Sequence, residues 1–147
     1  MKLRSVVLFA VACTASWPAT ARAEPQLYPI AQALSSPEAQ AKLDQSIKLF
    51  FGKQGHPPVA RTIGVWPSNK RANKFGRSEQ QACENALLSV VLSLQGRARR
   101  ERANAVIDIV SSYGDAVTVS STQYVCDTGG LRAGVALKGR VVSLGGR

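Results

Sequence analysis

Cys83 and Cys126 are the residues whose type best suits covalent chemistry, and His56, Asp108 and the basic run Lys70, Arg71, Lys74 and Arg77 complete a short inventory. Two cysteines left in an oxidising compartment point to a disulfide. Such a bridge closes a loop of about 44 residues, for which chain-entropy arithmetic gives about 4 kcal/mol. The alternative is a small envelope redox or metal-binding protein, in which Cys83 and Cys126 cycle between thiol and disulfide or hold an ion. A metal needs more donors than these: His56 is the single histidine, and the chain has no Cys-x-x-Cys. No metal site and no cofactor are therefore expected. Catalysis lacks a partner at each turn. His56 sits beside Pro57-Pro58 in a turn, with no acid or nucleophile tied to it, and Asp108 alternates with Ile107 and Ile109 as an outward-facing strand acid does. The motifs Gly-x-Ser-x-Gly, His-Glu-x-x-His and Gly-x-x-x-x-Gly-Lys-Ser/Thr are absent. No catalytic residue is assigned.

Trp66 and Phe75 stand on either side of Lys70, Arg71 and Lys74, and Arg77 follows. Interleaved cations and aromatics can neutralise and stack on an anionic polymer, and they also occur in loops packed on their own domain. Lys70, Arg71, Lys74 and Arg77 are taken as the candidate anionic contact surface.

The elements that must position these residues follow from pattern. A strand is predicted over 46–51, with Ile47, Leu49 and Phe51 on one face; 52–58 turn the chain; a second strand runs over 59–66; and 67–77 form a basic loop. Ser78 and Gln81 form a capping box that starts a long helix, along which Cys83, Leu87, Val90, Val91, Leu94 and Ala98 make one apolar face. Arg97, Arg99, Arg100 and Arg102 crowd its C-terminal end, where the helix dipole favours cations. Strands over 103–112, 116–126 and 131–144 follow, separated by Gly114-Asp115 and by 127–130, and Gly134 and Gly139 in the last signal a bulge or close backbone approach. Ser36-Pro37-Glu38 caps a short helix over 37–43. The fold class expected is α+β: an antiparallel sheet of about five strands packed on one long amphipathic helix, with a short N-terminal helix. Cys83 on the helix and Cys126 at a strand end would staple the two layers. The long last strand leaves an edge that a homo-oligomer would cover.

The N-terminus reads as an export signal. Lys2 and Arg4 precede an apolar run at 6–12, and Ala21-Arg22-Ala23 meets the small-x-small rule, placing cleavage after Ala23. Lipid attachment at Cys13, after Ala10-Val11-Ala12, is the alternative. The organisation expected is a signal peptide over 1–23, a leader over 24–36 and a single domain over 37–147. Loss of Lys2, Arg4 and Arg22 reduces the 19 basic residues to 16 against 9 acidic ones, a net charge of +7, and Cys13 departs with them. The mature chain would carry no membrane-spanning helix. A periplasmic or secreted address and a positive charge point to an envelope protein or an anionic envelope polymer, lipopolysaccharide or peptidoglycan ahead of nucleic acid, as the partner.

The segments 43–52, Ser68-Asn69-Lys70-Arg71-Ala72-Asn73, Ala82-Cys83, Asn104-Ala105-Val106-Ile107, Thr122-Gln123-Tyr124-Val125-Cys126 and 133–139 together resemble a group of small exported proteobacterial proteins that carry the label "excinuclease ATPase subunit". The resemblance covers nearly all of the mature chain. The label itself does not transfer, because excinuclease ATPase chemistry needs phosphate loops, zinc modules and far greater length. A looser similarity, centred on Ala103-Asn104-Ala105-Val106, reaches the stress-sensing outer-membrane lipoprotein of the Rcs phosphorelay and the YbjQ-like domains. It implies a helix-and-sheet fold bridged as at Cys83 and Cys126, and a periplasmic interaction role. The function expected is thus an exported, disulfide-stapled, non-catalytic binding protein of the envelope, with a polyanion-binding module as a further alternative.

Overall fold

The capping box at Ser78 forms as its sequence demands. The Ser78 hydroxyl accepts from the Gln81 N–H at 3.1 Å, and Gln81 Oε1 accepts from the Ser78 N–H at 3.1 Å. Three helices are present: α1 (Ile30–Ser35), α2 (Pro37–Lys42) and α3 (Glu79–Arg100), the last of 22 residues. The structure is a computed structural model that describes residues 17–18 and 24–145. The signal peptide, the cleavage point after Ala23 and Cys13 lie outside the described residues.

Along α3, Ala82, Cys83, Ala86, Leu87, Val90, Val91, Leu94 and Ala98 are buried, the repeat of three and four that one helix face requires. They pack on a five-stranded sheet built from β2 (Lys48–Phe51), β3 (Val59–Asn73), β4 (Ala105–Tyr113), β5 (Ala116–Thr118) and β7 (Arg132–Leu144), after β1 (Gln26–Pro29) and with β6 (Gln123–Cys126) apart. The order is β2-β4-β7-β3, with β5 added to β4, so the long last strand, expected to leave an open edge, is instead paired on both sides. Val106, Ile109, Val135, Leu137 and Val141 supply the sheet's half of the core. Gly139 permits this layer: a Cβ there would lie 2.6 Å from Val106 Cγ1.

The mixed α/β character matches expectation, and several details correct it. The sheet is not wholly antiparallel, because β2 pairs parallel with β4. β3 and α3 intervene between them, a long excursion that returns the chain to the same end of the sheet, as parallel pairing needs. Residues 67–73 are strand and not loop: β7 is long enough to hold β3 in register to Asn73. Pro67 is tolerated because β3 is an edge strand. The segment 24–36, expected as a leader, contributes β1, which pairs with β6, and α1, which buries Ile30 and Ala33. The strand expected over 116–126 is broken into β5 and β6, with the Ser120 hydroxyl accepting from the Thr122 and Gln123 N–H groups at the break. α2 begins as its sequence implies, with Ser36 Oγ accepting from the Ala39 N–H and Pro37 in the first turn.

Candidate interaction surface

Cys83 and Cys126 are joined in a disulfide. Both residues are fully buried, and the bridge ties the small β1–β6 sheet to α3. Beside it, Tyr124 is buried and stacks at a tilt on Tyr28. Burial first, and Glu84 next, push the Tyr124 phenol well above its ordinary pKa, so this hydroxyl stays protonated.

The basic residues singled out from the sequence do not form one patch. Lys70 and Arg71 are neighbours on β3, so their side chains leave opposite faces of the sheet. Ala72 packs on the core, which puts Lys70 on the α3 side and Arg71 on the outer side. Lys74 is mostly buried: its ammonium donates to Thr128 O at 2.7 Å and to Glu79 Oε1 at 3.2 Å. It braces two loops. Arg77 is exposed and donates to Asn73 O at 3.4 Å.

The other titratable residues also have local tasks. His56 Nδ1 meets Pro57 O at 2.8 Å and its ring stands edge-on to Phe50. Asp108 is an exposed acid at a bulge, with φ of 51° and Arg140 at 3.5 Å. At the end of α3, Arg97 lies 4.2 Å over the Trp66 ring and pairs with Glu101 at 2.8 Å. Arg99 grips one oxygen of Asp44 through Nε and a terminal nitrogen, at 3.1 and 2.6 Å.

Gln95 extends this anchor. Its buried amide accepts from the Asp44 N–H and donates to Asp44 O and Ile47 O, so the segment before β2 is tied to α3. A lone glutamine on an apolar helix face gives no signal of this in sequence. Hydrogen bonds from the Ser46 hydroxyl and then from Arg99 hold the Asp44 carboxyl at about 2. Because that lies below its unfolded value of about 3.9, the stabilisation is complete above pH 4 and is lost as pH falls through about 4 to 2. Asp44→Asn should therefore flatten the acid limb of the unfolding curve in that window. Urea unfolding at stepped pH checks this; parallel curves for the two proteins would contradict it.

What the sequence did not single out is an apolar tip. Phe75 is 90% exposed and Leu131 is 87% exposed. They sit on the β3–α3 and β6–β7 loops, which the Lys74 N–H joins by donating to Leu131 O at 3.1 Å. The two line one open groove with Asn73, Lys74, Gly130 and Arg132. Arg71 and Arg132 share the outer sheet face beside Leu131, since Arg71 opposes Gly134 and Asn73 opposes Arg132. Neither arginine makes an ion pair among the described residues. A large apolar residue next to a positive-φ glycine, as in Phe75-Gly76 and Gly130-Leu131, was the available cue. Farther along the outer face, Val65, Val110, Val117 and Val119 line a second shallow groove with Lys138 and the Asp108–Arg140 pair.

No family model, no curated protein and no solved structure matches this chain. Among the described residues, no helix is long and apolar enough to cross a membrane, and no group of three or more His, Cys, Asp or Glu side chains could hold a metal ion.

Proposed function

We propose that the chain is an exported, non-catalytic protein of the cell envelope that works by binding, its disulfide serving as a structural staple. The observation that carries this reading is the Cys83–Cys126 bridge sealed in the core. A disulfide persists in an oxidising compartment, and residues 1–23 have the layout of a signal that leads to one. Burial takes both sulfurs away from reaction partners, which favours a structural bridge over a cycling redox pair. Contact is then made at the surface, where cations and exposed apolar side chains stand side by side. The partner is an envelope component with anionic groups.

Cell fractionation tests this. The protein should be released with the periplasmic contents and resist alkylation until it is unfolded and reduced. Removal of residues 1–23 should leave it in the cytoplasm with thiols that are alkylated on unfolding, without reduction. A protein found in the cytoplasm with its signal intact and its thiols free would contradict the proposal.

A further inference from the structure

The geometry points to a membrane-docking tip: Phe75 and Leu131 insert at the headgroup boundary of an anionic phospholipid leaflet while Arg71 and Arg132 engage its phosphates. This inference rests on the envelope address proposed above and names the partner of the binding surface.

Two large apolar side chains, 90% and 87% exposed, stand on adjacent loops with the Lys74 N–H to Leu131 O hydrogen bond between them. Single exposed apolar residues are ordinary on a protein surface; a pair held together at one end of a sheet needs a reason. The surrounding charge supplies the choice of occupant. Arg71 and Arg132 flank Leu131 without ion-pair partners among the described residues, and Arg77 follows Phe75 by two positions. Glu79 is balanced by Lys74, and Asp127, which lines the same groove and accepts from the Gly129 N–H and the Tyr113 hydroxyl, leaves Arg71, Arg77 and Arg132 in excess of the one acid among them. An apolar point ringed by cations is complementary to a surface that offers acyl chains beneath phosphates. A nucleic acid would use Phe75 for stacking but has no use for Leu131, which presents no π-face. The loops are also set firmly, because Lys74 links Glu79 at the start of α3 to Thr128 O in the other loop. The tip is presented in place and not assembled on contact.

The test uses the disulfide-bonded protein in the processed form its host makes. Wild type should co-sediment with phosphatidylglycerol vesicles, bind phosphatidylcholine vesicles far less, and release as salt rises. Phe75→Ser with Leu131→Ser should lower partitioning at least tenfold, about what loss of two inserted side chains gives. Arg71→Gln with Arg132→Gln should lower it about tenfold on anionic vesicles and reduce the salt dependence. Both pairs are exposed, so an unchanged thermal midpoint shows that the fold is intact. Equal partitioning of wild type and the Phe75/Leu131 variant overturns the inference. So does equal binding to both lipids, displacement by an oligonucleotide at matched charge, or self-association that the Phe75/Leu131 variant abolishes. The mass of the same sample reports separately on export. A retained N-terminus contradicts the envelope reading, while the wild-type-to-variant ratio still judges the tip, since both proteins carry that N-terminus.

Discussion

Replacing Cys83 and Cys126 together by alanine should lower the unfolding free energy by about 4 kcal/mol. The two residues are 43 positions apart, so the bridge removes a large loop-closure freedom from the unfolded chain. The segment it encloses contains most of α3 and all of β4 and β5, and the bridge joins α3 to the β1–β6 ribbon. That ribbon has two strands of four residues each and is too small to hold itself together in water. Its attachment rests on the bridge, on the burial of Tyr124 and Ile30, and on hydrogen bonds to the larger sheet, the Asp127–Gly134 backbone pair and the Val125 N–H donating to the Ser111 hydroxyl. Urea unfolding of the oxidised protein and of the double variant measures the effect. A loss under about 1 kcal/mol would show that the bridge is not the structural staple proposed, since native bridges of small secreted domains contribute about 2–5 kcal/mol. The variant should also gain protease cleavage within β1 and β6 before the five-stranded sheet opens.

Gly52→Ala should destabilise by about 3 kcal/mol, whereas Gly114→Ala should cost about 1 kcal/mol. Both glycines occupy the left-handed region, with φ of 58° and 57°. They differ in surroundings. A Cβ at Gly52 would lie 2.7 Å from the Ser120 carbonyl carbon and 2.9 Å from the Ser121 nitrogen, both backbone atoms, while a Cβ at Gly114 meets nothing within 4 Å. Gly52 has no room to retreat, because its N–H donates to Ile109 O at 2.8 Å and holds the turn against β4. The difference between the two variants isolates the steric part from the dihedral part. Equal losses in urea unfolding would mean that the 120–121 backbone yields, and that the close approach carries no stability.

The same pair shows what sequence conveys. That the chain turns at Gly52 is legible from Gly and Pro alone; that it turns against Ser120-Ser121 is not, since the contact joins residues far apart in sequence. Capping at Ser78 and Gln81 and the buried face of α3 are legible because each depends on residues three or four apart. The Cys83–Cys126 pairing was legible by elimination of Cys13. Parallel pairing of β2 with β4, the extension of β3 to Asn73 and the docking of β1 on β6 depend on what a distant strand offers. At the candidate interaction surface, sequence proximity misled. Lys70, Arg71, Lys74 and Arg77 look like one patch in a loop. A strand sends Lys70 and Arg71 to opposite faces, and an ion pair with Glu79 engages Lys74. Arg71 finds its neighbour in Arg132, which lies far along the chain but opposite Asn73 in the ladder.

The most direct measurement is the intact mass of the protein purified from the envelope fraction, with thiol alkylation before and after reduction. A mass for Glu24 to Arg147 less two hydrogens, with alkyl groups added only after reduction, is the expected result. It would establish cleavage after Ala23 and the closed Cys83–Cys126 bridge together. A full-length mass with thiols alkylated without reduction would contradict an exported, disulfide-stapled protein, and a mass beginning at Cys13 with acyl chains would replace the soluble form by a lipid-anchored one.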